Sequence, residues 1–195
     1  MTDIQLIDVL NDARNCRLCT RNLPHSPRPV VRAAEGARLL IIGQAPGARV
    51  HASGIPWDDP SGERLRDWLG VSREVFYDGN QVAIVPMGFC YPGKGRSGDL
   101  PPRPECAPRW HAELLACLPE IRLTLLIGRY AQQYYLADKN MSLTNTVKNW
   151  RANLPQYFAL PHPSPRNYSW LARNPWFEAD VLPDLKRLTK KCLHR

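Results

Sequence analysis

With 195 residues, 44% of them hydrophobic and 23% charged, the chain is long enough for one substantial core, short for two, and unlike disordered or fibrous proteins in composition. Its formal net charge is +8 and most of its 26 basic residues are arginine, whose planar fork suits phosphate oxygens, so a polyanionic partner is favoured over use of the charge for solubility alone. The stretch from Met1 to Gln5 has no basic segment leading into an apolar one, and no run approaches the ~20 apolar residues that span a bilayer, so a cytoplasmic protein without a membrane partner is expected; separately, a monomer is expected.

Ile4, Leu6, Ile7, Val9, Leu10 and Ala13 have partial helical spacing, which predicts an N-terminal helix breaking near Asn15 and leading into Cys16-Arg17-Leu18-Cys19. Pro24, Pro27 and Pro29 then favour an extended linker over helix. Four short apolar runs follow: Leu39 to Ile42, Val82 to Val85, Leu123 to Ile127 and Tyr157 to Leu160. Each ends at glycine or proline, the pattern of strands buried on both faces. Helices are predicted between them, from Ser61 as a possible N-cap through Leu69, from Pro108 in a first turn to Leu118, and from Arg129 to Leu136. A last helix runs from Pro175 to about Lys190, kinked or split by Pro183.

Strand and helix thus alternate. The expected fold is α/β, a three-layer α/β/α sandwich around a central, mostly parallel four-stranded sheet, in a single domain of residues 1–195 with segment 1–36 packed onto it. In such folds ligands bind at the carboxyl ends of the strands. Two motifs begin there although more than a hundred residues apart.

The first is Gly43-Gln44-Ala45-Pro46-Gly47. Its glycines open backbone angles closed to other residues and its proline stiffens the turn, so N–H groups can be held toward a ligand; an ordinary strand-to-helix turn would look similar. Beyond it lies Ile55-Pro56-Trp57-Asp58-Asp59-Pro60-Ser61-Gly62. Trp57 offers an aromatic face or a core anchor, and Asp58 and Asp59 are each either a catalytic carboxylate or a helix cap. The second motif, His162-Pro163-Ser164-Pro165-Arg166-Asn167, has a histidine in a proline-clamped loop and an arginine available for phosphate. His25, His51, His111 and His194 lack such a context. Cys16 and Cys19, with Cys90 and Cys106 in a glycine- and proline-rich stretch, could build a tetrahedral zinc site or an iron–sulfur cubane, and spacing leaves the choice open. Cys117, in a predicted helix, and Cys192, in the tail, read as non-ligands.

These motifs resemble the two active-site loops of the uracil-DNA glycosylase superfamily, over about Cys16 to Leu188. The first loop and the cysteines look like family 4, and the second loop is similar to the single-strand-selective monofunctional enzymes. The resemblance implies a DNA repair glycosylase that flips uracil, or a related deaminated base, out of DNA and hydrolyses its N-glycosidic bond. Trp57 would stack on the base, with the loop Gly43, Gln44, Ala45, Pro46 and Gly47 and residues Ser164 and Asn167 around it. His162 would donate to a base carbonyl, and Asp59 or Asp58 would serve the water or the sugar cation. Arg166, Lys94, Arg96 and Arg103 would face DNA. It further implies a structural [4Fe-4S] cluster on Cys16, Cys19, Cys90 and Cys106, with zinc as the alternative.

The chain departs from the family pattern in two places. Gln44 and Ala45 stand where relatives carry a glutamate and a water-activating aspartate or asparagine, and Pro86-Met87-Gly88-Phe89 replaces a stretch holding a uracil-reading asparagine, a task that Gln44 or Asn80 could take over. An alternative expectation is therefore a protein that binds uracil or abasic DNA with weak or no turnover. Neither motif loop contains the lysine that a strand-cleaving lyase would use for a Schiff base.

Overall fold

The computed structural model describes residues 5–194, so Ile4, expected in the first helix, lies outside the described residues. The first helix, α1 (Leu6–Arg14), ends at Asn15. After the linker come β1 (Leu39–Ile42), α2 (Ala48–Ser53), α3 (Pro60–Leu69), α4 (Arg73–Tyr77) and β2 (Val82–Ile84). A two-stranded hairpin follows, β3 (Lys94–Gly95) and β4 (Gly98–Asp99), then α5 (Cys106–Ala116), β5 (Leu123–Ile127), α6 (Arg129–Tyr135) and α7 (Leu143–Lys148). Strand β6 (Tyr157–Leu160), α8 (Tyr168–Arg173) and α9 (Leu182–Leu193) complete the described chain.

Four strands form one sheet in the order β2-β1-β5-β6, and every pairing is parallel. Residues of β1 are buried on both faces, which explains why the sequence shows an unbroken apolar run rather than alternation. Leu40 and Ile42 meet a layer that includes Leu10 of α1, Trp110 and Leu114 of α5 and Ala131 of α6. Leu39 and Ile41 point the other way, toward Leu65 and Trp68 of α3, Val147 of α7 and Leu185 of α9. The three-layer α/β expectation therefore holds, with a sheet that is wholly parallel. Among the described residues no helix is long and apolar enough to cross a membrane.

Three local expectations shift. Asp59, not Ser61, caps α3: its Oδ1 accepts the Gly62 N–H at 2.8 Å. The helix predicted from Pro175 opens instead as a π-turn over Phe177–Val181, and regular helix resumes with Pro183 in its first turn, where the missing N–H costs least. Cys192 belongs to no tail; it is buried in α9 with its thiol donating to the Arg38 carbonyl at 3.1 Å.

Parallel pairing brings the carboxyl ends of all four strands to one edge. The segments leaving β1, β2 and β6 meet there, with the Met87 N–H on the Gly43 carbonyl and the Gly88 N–H on the Gln44 carbonyl, both at 2.9 Å.

Candidate active site

A cleft of about 540 Å³ opens at this edge, lined by Gly43 to Gly47, Trp57, Asp59, His162, Ser164, Arg166 and Asn167 among others. The two remote motifs thus share one cavity. Trp57 and His162 sit with ring centroids 5.5 Å apart at an interplanar angle of 30°. Trp57 is the one described non-glycine residue with positive φ, 58°, a conformation that bulky side chains avoid. Its neighbours show what holds it there. A Cβ on Gly43 would lie 2.8 Å from the indole, and one on Gly62 would lie 1.8 Å from the Trp57 carbonyl oxygen. Arg66 Nη1 also donates to that carbonyl, at 3.4 Å.

His162 is fixed by its own loop. The Ser164 N–H donates to Nδ1 at 3.2 Å, and Asn167 Nδ2 donates to the His162 carbonyl at 2.7 Å. Burial lowers its pKa to about 4, only partly opposed by the nearby Asp59 charge. The ring is neutral at physiological pH, and because Nδ1 accepts, the proton sits on Nε2. Arg64 steadies the loop from outside, its Nη1 reaching the Pro163 and Ser164 carbonyls at 3.2 and 3.3 Å while its guanidinium covers the Tyr168 ring at 4.2 Å.

Other candidates are placed differently. Asp59 lines the cleft while also capping α3, but Asp58 is not in the cleft lining; it pairs with Arg73 at 2.9 Å. Arg166 donates through Nη1 to the Ser97 carbonyl at 3.2 Å, so its head meets the hairpin. Lys94 and Arg96 are exposed on that hairpin, beside the cleft mouth. Arg103 does not join them: it pairs with Glu105 at 2.7 Å and borders the cysteines. Gln44 lines the cleft with its amide donating to the Leu100 carbonyl at 3.2 Å. Asn80 precedes β2, at the opposite end of the strand from the cleft, and is no candidate for reading a base there.

A family model described as the uracil DNA glycosylase superfamily matches residues 31–186, most of the chain. The chain belongs to the uracil-DNA glycosylase superfamily. Among curated relatives, a type-4 uracil-DNA glycosylase of Saccharolobus solfataricus is 28% identical over 116 residues, covering 57% of this chain and 50% of the relative. The chain thus spans about half the length of that relative.

In this superfamily member the four cysteines converge as well. Cys16, Cys19, Cys90 and Cys106 line one small pocket with Phe89 and Trp110. The Phe89 N–H donates to Cys106 Sγ at 3.3 Å, and Arg103 lines the same pocket as Cys19. Burial pushes the Cys106 thiol up to about 12 and the Cys90 thiol up to about 11. Four soft sulfur donors with N–H groups and a guanidinium beside them match the needs of thiolates on a metal centre. Among the described residues no group of three His, Cys, Asp or Glu side chains forms a ready-made single-ion site, and four sulfurs suit either zinc or an iron–sulfur group.

One buried titratable group gave no signal in sequence. His111 of α5 is 2% exposed, with Nε2 at 3.0 Å from the Pro86 carbonyl and Nδ1 beside the Tyr135 hydroxyl at 2.5 Å. Burial holds its pKa near 4, so the neutral ring donates to Pro86 and accepts from Tyr135. No local motif marks it, because its partners come from segments 25 and 24 residues away.

Proposed function

We propose that this protein is a monofunctional glycosylase that takes uracil, or a related deaminated base, out of DNA and hydrolyses its N-glycosidic bond. One observation carries the reading: an indole and a neutral imidazole, from segments over a hundred residues apart, face one cleft at 5.5 Å. An extruded base loses its stacking partners and recovers them on an aromatic face such as Trp57. The bond breaks as negative charge gathers on the base, and the Nε2 proton of His162 is a fixed, desolvated donor for it. Being already neutral, the ring needs no deprotonation to remain in that role. Ser164 and Asn167 keep the imidazole aimed, and Gly43 to Gly47 line the same cleft.

Lys94 and Arg96 on the hairpin, and Arg166 at the cleft mouth, are the cations we assign to DNA phosphates. Cys16, Cys19, Cys90 and Cys106 would hold a [4Fe-4S] cluster. It would supply a cross-link between the N-terminal segment and the chain after β2, and no chemical step passes through it.

A duplex and a single strand, each with one uracil and a 5′ fluorophore, provide the test. After incubation and hot alkali both or either should break at the uracil position, and strands left whole at excess protein would end the reading. A second reading, tight binding with little turnover, is favoured by one detail: Ala45 offers no activator and the Gln44 amide is already engaged with Leu100. Repeated turnover at substoichiometric protein excludes it.

A further inference from the structure

Among the described residues two acidic side chains line the cleft, Asp59 and Asp99, and only one of them is free of a structural duty toward a helix. Asp59 has an oxygen committed to the Gly62 N–H at the start of α3. Asp99 lies on β4, outside both motif loops, in a hairpin whose strands are two residues long. Its Oδ2 is 3.4 Å from where a Cβ on Gly47 would stand, so the carboxylate lies against the first motif loop at the cleft.

The placement is held from several sides. The hydroxyl of Tyr91, a residue only 6% exposed, lies near the Asp99 side chain, and burial and then the Asp99 charge raise the Tyr91 pKa. Two residues before Asp99 the Ser97 carbonyl accepts from Arg166, and one residue after it the Leu100 carbonyl accepts from Gln44, each at 3.2 Å. Between them, a Cβ on Gly98 would stand 2.1 Å from Arg166 Nη1, so only glycine allows the guanidinium this close. Both motif loops therefore grip the backbone that carries Asp99. So short a hairpin has little pairing of its own, and these contacts fix where its one carboxylate points.

We propose that Asp99 is the catalytic carboxylate, supplying from the hairpin what Ala45 cannot supply from the first motif loop; the proposal rests on the glycosylase reading. The C1′–N1 bond breaks with its electron pair passing to the base, where the His162 Nε2–H meets the new charge. The Asp99 carboxylate offsets the positive charge left on the sugar and orients a water whose oxygen bonds to C1′. The water's proton passes to Asp99 and from there to solvent, while the departing base anion takes a proton from solvent. The products are the free base and an abasic sugar with a hydroxyl at C1′.

The test compares intact wild type, Asp99→Asn, Asp99→Ala and Asp59→Asn in single-turnover release of base from a uracil-containing duplex. Binding is followed on the same duplex bearing 2′-fluoro-arabino-uridine, which resists cleavage. Both Asp99 variants should lose on the order of 10²-fold or more in rate while still binding the fluorinated duplex, and added formate should return part of the Asp99→Ala rate. Wild-type rates in Asp99→Asn, whether or not Asp59→Asn is slow, overturn the assignment of Asp99 alone. So does a loss matched by lost binding and unmoved by formate. No release by wild type itself overturns the glycosylase reading and this proposal with it.

Discussion

Trp57 shows how a single side chain can constrain several positions around it. Its positive φ and its ring position both require missing side chains nearby, at Gly43 against the indole and at Gly62 against the Trp57 carbonyl. Gly62→Ala would place a methyl group 1.8 Å from that oxygen, which neither helix nor turn can absorb without moving. We expect a loss of about 1–3 kcal/mol in urea unfolding, typical of overpacking, together with a larger fall in base release because the indole leaves its register with His162. Unchanged release in a destabilised variant would mean the indole does not hold the base. For His162→Ala, single-turnover release should drop on the order of 10²–10³-fold, as when a donor to a developing anion is removed. At this scale the sequence was legible where a residue type has few uses, as with the proline-clamped His162. It was misleading for Asp58, because a carboxylate two residues from a helix start finds an arginine, here Arg73, as readily as a substrate.

At the scale of elements, α5 joins two sites. Cys106 opens it, bordering the cysteine pocket, and His111, five residues on, holds the Pro86 carbonyl at the cleft. Burial lowers the folded pKa of His111 to about 4, against about 6.5 in an unfolded chain. Between those values the unfolded state binds the extra proton, so the contribution of the neutral ring is complete above about pH 6.5 and is lost as pH falls toward 4. His162 has the same sign. Urea midpoints should fall through this window, and less steeply in His111→Gln; equal slopes would show that His111 is not the titrating group. At the other end of α5, Cys106→Ser should remove visible absorbance from purified protein and lower its melting temperature, whereas a colourless wild type containing zinc would replace the iron assignment. The strands were readable because burial on both faces writes an unbroken apolar run. Helices α2, α4, α7 and α8, of five or six residues, were not predicted, since helices so short are made by tertiary contact rather than by propensity. The hairpin carrying Asp99 has no local sequence signal for the same reason, as Arg166 and Gln44 fix it from far along the chain.

Across the whole molecule, a net charge of +8 says that a polyanion is welcome but not where it lies. The structure divides the cations by the company they keep. Arg151 pairs with Asp184 at 2.6 Å next to the amino end of β6, on the far edge of the sheet from the cleft. Arg103 is paired with Glu105 beside the cysteines. Lys94 and Arg96 stand exposed on the hairpin at the cleft mouth, in no ion pair among the described residues. Each cation seated on a phosphate releases counterions, so the slope of log affinity against log salt counts such contacts, at about 0.9 per phosphate for duplex DNA. Lys94→Ala and Arg96→Ala should each reduce the magnitude of that slope by about 1 and weaken uracil-containing and undamaged duplexes alike. Arg151→Ala should leave the slope as it is, although it removes the same formal charge. If all three variants shift the slope equally, binding follows net charge alone; if only the hairpin variants do, the duplex lies across the cleft mouth, where the next base to be extruded would meet Trp57 and His162.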